Sequence, residues 1–209
     1  MSQSVTREAL LSTIAARGAQ ARSLTALAGP PGAGKSTLAE ALVADLNAAA
    51  PGSAAILPMD GFHYDDAILE AEGWHARKGA PHTFDLGGFK ATLARLREDA
   101  AEPVAVPVFD RDLEISRGSA RLIAPSVRHV VVEGNYLLLD APGWRDLSAA
   151  FDTTVFLQVA LPVLEARLAE RWSGLSAAAR HDKLEANDLP NARLVIESSA
   201  PAEFVLSDW

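Results

Sequence analysis

One loop constrains this chain more than any other stretch: Gly29, Pro30, Pro31, Gly32, Ala33, Gly34, Lys35 and Ser36 satisfy the spacing G-x-x-x-x-G-K-[ST]. A short β-like run over residues 23–28 leads into it, and Leu38, Leu42, Val43 and Leu46 follow at helical spacing. Glycines let the backbone curl with its N–H groups facing inward, and the helix behind points its positive end at the same spot. Such a loop cradles the phosphates of a nucleotide. The backbone of Gly29, Gly32, Ala33 and Gly34 would line the cradle, Lys35 would reach the β and γ oxygens, and Ser36 would ligate Mg²⁺. Thr37 stands where it can reach the α-phosphate. ATP and Mg²⁺ are the expected ligands.

Around the loop, apolar runs alternate with helical-period segments. Val5, Leu10, Leu11 and Ile14 predict a first helix ending near Gly18, and Pro51–Gly52 ends the helix after the loop. Strands are expected over residues 54–59, 104–110, 130–132 and 153–159, with short closing strands over 194–196 and 204–206. Helices are expected over residues 66–72, around Phe89, Leu93 and Leu96, and from Leu161 onward. This alternation predicts an α/β fold, a P-loop three-layer sandwich with a mainly parallel central sheet, as one domain over 1–209. Ligands of such sheets sit beyond the carboxyl ends of the strands. Asp60, Asp110 and Glu133 all follow strand-like runs, so one edge of the sheet is expected to collect them.

Composition narrows the partners. With 209 residues and a formal net charge of −8, the chain shows no Lys/Arg-rich run, so neither nucleic acid nor a membrane is an expected partner. It contains no cysteine, in keeping with a reducing cytoplasm, and no stretch approaches a membrane span. Cytoplasmic location and a small-molecule substrate are the expectations. Trp74, Trp144 and Trp209 suit interface anchors of a homo-oligomer and core packing equally well.

Val130–Val131–Val132–Glu133–Gly134 places an acid at the exit of an apolar strand, a loose Walker B pattern. Glu133 would hold Mg²⁺ directly or through water, or else be a solvated strand-end carboxylate. The strings Asp85–Leu86–Gly87–Gly88 and Asp140–Ala141–Pro142–Gly143 match the Asp-x-x-Gly of a GTPase switch, but no Asn-Lys-x-Asp guanine reader follows them.

Three further stretches follow the P-loop in order: Met59–Asp60–Gly61–Phe62–His63–Tyr64, Arg77–Lys78–Gly79–Ala80–Pro81–His82–Thr83–Phe84–Asp85, and Val132–Glu133–Gly134–Asn135–Tyr136. Together they resemble the phosphoribulokinase/uridine kinase/bacterial pantothenate kinase superfamily, and most closely its compact bacterial branch named "putative fructose transport system kinases". The resemblance implies an ATP-dependent kinase that phosphorylates a hydroxyl of a small metabolite, with a helical lid near residues 162–185.

By that resemblance Asp60 is the base toward the acceptor hydroxyl. A carboxylate across the crevice from Lys35 can orient that hydroxyl and take its proton. His63 and Tyr64 are implied in the acceptor pocket, which residues 77–85 border. Arg77 and Lys78 would there bind an anionic acceptor or be solvated, and Asp85 would contact substrate or cap a helix. In Phe109–Asp110–Arg111, Phe109 replaces the tyrosine usual in uridine kinases. Arg111 would touch substrate or pair with Asp110 or Asp112. Arg167 and Arg171 share a helix face; the resemblance implies lid arginines closing over the phosphates, against surface pairs with Glu165 and Glu170. Asn187–Asp188–Leu189–Pro190–Asn191 is expected to turn the chain near the adenine, with Asn191 in contact. The implied acceptor is a sugar such as fructose. Its alternatives are a nucleoside or pantothenate-like alcohol, or a regulatory ATP-binding module that is no kinase.

Overall fold

A computed structural model describes residues 2–98 and 101–207. In chain order its first elements are β1 (Gln3–Ser4), α1 (Arg7–Arg17), β2 (Ser23–Ala28), α2 (Lys35–Ala49) and β3 (Ala54–Pro58). A 3₁₀ turn over Met59–Phe62 leads to α3 (Asp66–Ala71) and α4 (Leu86–Arg97). Then come β4 (Val104–Asp110), β5 (Ile115–Ile123), β6 (His129–Gly134) and β7 (Thr153–Leu157). The chain closes with α5 (Leu161–Arg171), α6 (Ala177–Lys183), a π-helical turn over Leu184–Asp188, α7 (Leu189–Ser198) and β8 (Phe204–Leu206).

Six strands form one sheet in the order β1-β8-β7-β2-β6-β3, and every described pair is parallel. β2 and β6 are buried along their whole length, as strands covered on both faces must be, and their sequences are correspondingly apolar. On one face Leu10 and Ile14 of α1 and Leu38 and Leu42 of α2 pack over Leu27, Val131 and Val155. On the other, Phe89 and Leu93 of α4, Val104, Val106 and Val195 of α7 cover Leu24, Ala26, Val130 and Val132. Buried Arg22 donates to the carbonyls of Val127, Leu96, Ala124 and Pro125 at 2.9–3.2 Å, a charge that carbonyl dipoles compensate.

Parallel register sets what meets at the carboxyl edge. Ala28 lies opposite Gly134 and Pro58 opposite Glu133. The loop after β2, the turn after β3 and the exit of β6 therefore open into the same crevice.

The structure departs from the sequence expectations at three elements. Residues 194–196 belong to α7, where Val195 is buried and Ile196 exposed: one face of a helix, too short to declare itself by period. β4 pairs antiparallel with β5 in a separate two-stranded sheet. β5 is mostly exposed and polar, which is why no apolar pattern announces it. Asp110 accordingly does not join Asp60 and Glu133 at the sheet edge. Its carboxylate accepts from the backbone N–H of Asp112 and Leu113 and shapes the hairpin tip.

Candidate active site

The phosphate cradle is built locally. Gly34 caps α2 at φ 90°, a left-handed conformation that glycine adopts without a Cβ penalty. Gly32, Gly34, Lys35, Ser36 and Thr37 line a cavity of about 420 Å³, while Gly29 and Ala33 are buried behind them. The Lys35 ammonium donates to Pro30 O at 3.0 Å and to Asn135 Oδ1 at 2.6 Å, so the amide after β6 aims the lysine. Burial outweighs the attraction of Glu133 and Asp60 and lowers Lys35 to about 8. Arriving phosphate would supply the missing counter-charge.

Glu133 is buried beside the cradle and accepts a hydrogen bond from Ser36 Oγ at 3.3 Å. Burial first, and then the neighbouring Asp60, push its carboxyl up to about 7, against the pull of Lys35. A divalent cation would relieve that cost, and the oxygens of Ser36 and Glu133 are the hard donors that Mg²⁺ takes. No group of three or more His, Asp or Glu ligands exists among the described residues.

Asp60 lies on the 3₁₀ turn after β3 and lines the same cavity as Lys35, Ser36, Glu133 and Arg171. Arg111 donates to its Oδ2 at 2.9 Å, so Arg111 pairs with Asp60 and with neither Asp110 nor Asp112. A smaller cavity of about 100 Å³ opens on the far side of Asp60 and shares Arg111 and Arg171 with the first. His63 lines it and packs its ring on Phe84 and Phe109 at 4.1 and 4.8 Å. His63 Nδ1 sits 2.8 Å from the Asp60 carbonyl oxygen, which can only accept, so Nδ1 carries a proton and donates it there.

Several implied residues stand elsewhere. Tyr64 lines neither cavity, and its backbone N–H joins Thr83 O. Asp85 caps α4, accepting from Gly88 N at 2.8 Å, the helical role weighed for it. Arg77 donates to Ala186 O and to Asn191 Oδ1, and Lys78 pairs with Asp66 at 2.6 Å. Asp66 meets the charge of Lys78, which still lines the smaller cavity, whereas Arg77 is held by two neutral oxygens and lines neither cavity.

Asn191 is buried on α7 and lines the smaller cavity with Asn187 and Asp188, beside His63 and Lys78. The π-helical turn Leu184–Asp188 carries these residues to the smaller cavity. Arg167 donates to Gly32 O at 3.1 Å, while Arg171 faces the cavity next to Trp172. Trp144 is 4% exposed and packs on Tyr136 and Phe84; half-buried Trp74 packs on His82; Trp209 lies outside the described residues.

Sequence reasoning passed over Asn135, Trp172 and Glu114, all of which line both cavities. Asn135 stands inside a quoted motif and could have been found there. Glu114 adopts φ 55°, outside the usual range for a side-chain-bearing residue, and no sequence pattern marks it. Trp172 Nε1 donates to Asp188 Oδ2 at 2.8 Å, across the lid.

No protein-family model matches the chain. A crystal structure named "putative fructose transport system kinase" from Silicibacter sp. is 43% identical, covers 96% of this chain and 98% of its own, and superposes with a TM-score of 0.88. A "putative uridine kinase" of Schizosaccharomyces pombe is 33% identical over 196 residues, 90% of this chain and 83% of its own. A pantothenate kinase of Bradyrhizobium sp. is 30% identical over 166 residues, 75% of this chain and 51% of its own.

Proposed function

Because the chain belongs to the phosphoribulokinase/uridine kinase/pantothenate kinase superfamily of ATP-dependent P-loop kinases, we propose that it transfers the γ-phosphoryl group of ATP to a hydroxyl of a small metabolite, a sugar such as fructose. The observation that carries the reading is that Asp60 lines one cavity together with the P-loop residues Lys35 and Ser36, with Glu133 and with Arg171. A switch protein needs the cradle but not a carboxylate that lines a second cavity as well.

In this reading the N–H groups of the loop and Lys35 hold the triphosphate, and Ser36 and Glu133 would hold Mg²⁺, which would supply neutralising charge to the phosphates. Asp60 orients the acceptor hydroxyl toward the γ-phosphorus and receives its proton as the O–P bond forms. Transfer of this kind is mostly positioning and charge neutralisation, so an ordinary carboxylate suffices as base. Arg171 meets the charge that spreads over the transferring oxygens, and the lid keeps water from competing.

The preference for a sugar rests on the fructose in the name of the 43%-identical Silicibacter structure. ATP consumption is to be measured with fructose, other hexoses, nucleosides and pantothenate. A sugar should raise it well above the water-driven background, with equal amounts of ADP and sugar phosphate formed. A response to no acceptor would sink the kinase reading, and a response to pantothenate or a nucleoside alone would sink the sugar.

A further inference from the structure

Residues 77–79 form a junction of hydrogen bonds that ties separate elements together. Arg77 sends one guanidinium nitrogen to Ala186 O and the other to Asn191 Oδ1 at 3.1 Å. These acceptors lie on and just beyond the π-helical turn Leu184–Asp188. Asn191 Nδ2 donates to Asn187 Oδ1 at 3.1 Å, and Asn187 Nδ2 returns to Lys78 O at 2.6 Å. The loop between the junction and the lid root is thereby closed: Arg77, Asn191, Asn187, Lys78.

The same short stretch reaches three other elements around the acceptor cavity, of whose partners Glu114 also lines it. Lys78 Nζ donates to Asp66 Oδ1 of α3 and, at 2.5 Å, to Glu114 O at the tip of the β4–β5 hairpin. Tyr136, just past β6, donates its hydroxyl to Gly79 O at 2.6 Å. The lid's other end is fastened at the P-loop, where Arg167 donates to Gly32 O. The lid is thus anchored on the nucleotide side through α5 and on the acceptor side through residues 77–79.

We propose that Arg77 is a positioning residue: by clamping the root of the lid to the acceptor wall, it makes closure over the nucleotide depend on that wall being in place. Arg suits the task because one planar fork spans two acceptors on different turns, which a lysine ammonium on its flexible stem does not reproduce. A π-helical turn inside a helical run often marks a functional site, and here it brings Ala186 O and the Asn191 amide within reach of one side chain. With the clamp broken, nucleotide still binds at the intact P-loop. The downstream half of the lid then no longer holds Trp172 and Arg171 in register, and water gains access to the γ-phosphate. This inference rests on the kinase reading above.

The test compares Arg77→Gln with the unaltered full-length chain, using whichever acceptor responds in the panel. Expected are a severalfold fall in phosphorylated acceptor formed per ATP consumed and a KM for ATP within about twofold. Arg77→Lys should not restore the ratio. Hydrogen exchange with a non-hydrolysable ATP analogue needs no acceptor. Residues 184–191 should exchange faster in Arg77→Gln, and residues 29–37 should be unchanged. Should Arg77→Gln fail to fold, Asn191→Leu removes the other half of the bond and should give the same two results. An unchanged product ratio with unchanged exchange in a folded variant overturns the proposal, as does full rescue by lysine. If no acceptor responds, the kinase reading fails on its own account, and the exchange experiment still decides whether Arg77 clamps the lid.

Discussion

Lys35 and Asp60 line one cavity but answer to different partners, and their substitutions should separate. Lys35 is buried at the floor of the P-loop, held by Pro30 O and Asn135. Lys35→Ala removes a cation aimed at the phosphates, so kcat/KM should fall by roughly 10²-fold or more whichever acceptor is used. Asp60 is half-buried and paired with Arg111. Asp60→Asn should leave ATP affinity, measured by calorimetry, within about twofold, while transfer falls roughly 10²-fold. Unchanged transfer in that variant would remove Asp60 from the base role. Lys35 and Ser36 were legible in the sequence because their neighbours along the chain suffice to place them. For Arg77 and Lys78 the sequence left an anionic acceptor and plain solvation both open, since nothing adjacent to them reveals their bonds to Ala186, Asn191 and Asp66.

The elements that carry the acceptor side meet at close quarters. The 3₁₀ turn Met59–Phe62 packs directly beneath β4, and a Cβ added at Gly61 would lie 2.5 Å from Pro107 O. That obstacle is backbone, which cannot rotate away, and Ser116 Oγ fastens Gly61 O to the same hairpin. Gly61→Ala should therefore push the Asp60 turn from the hairpin and destabilise the fold by about 1–3 kcal/mol. Transfer should drop far more than ATP binding, because the P-loop lies on a different strand exit. Equal losses in both, measured on protein that remains folded, would refute this division of labour. At this scale the strong apolar periods, such as those of α2 and β6, were legible. Residues 194–196 were not: three apolar residues suit a strand as well as a helix, and only packing against the core puts Val195 inside and Ile196 outside. The amphipathic, exposed β5 gave no apolar run to detect.

Across the whole molecule, α1 is seated against the entry of β6 through one ring. His129 is buried so closely under Gly18 that a Cβ there would fall 2.2 Å from the imidazole. Burial chiefly, and Arg128 beside it, lower the His129 pKa against the opposing bond to Ile14. The sign follows from linkage. The unfolded chain takes up the proton once pH drops below the ordinary histidine value of about 6.5, while the folded chain resists it, so stability is lost on acidification. His129→Gln should lose less stability than the unaltered chain between about pH 7.5 and 5.5, read from urea midpoints at the two values. Equal losses in both proteins would show that His129 does not contribute.

The sequence by itself determined the P-loop, the alternation of strands and helices around it, and the order of acids that marks a kinase. Each of these depends on residues adjacent in the chain: glycine at a left-handed position, an apolar period, a carboxylate at a strand's end. Tertiary structure decided the rest. Parallel register brought Glu133 beside Ser36, 97 positions away, and the π-helical turn set Asn191 against Arg77, 114 positions away, at the smaller cavity. No local pattern encodes such pairings, because they are set by the packing of layers, and packing depends on every element at once.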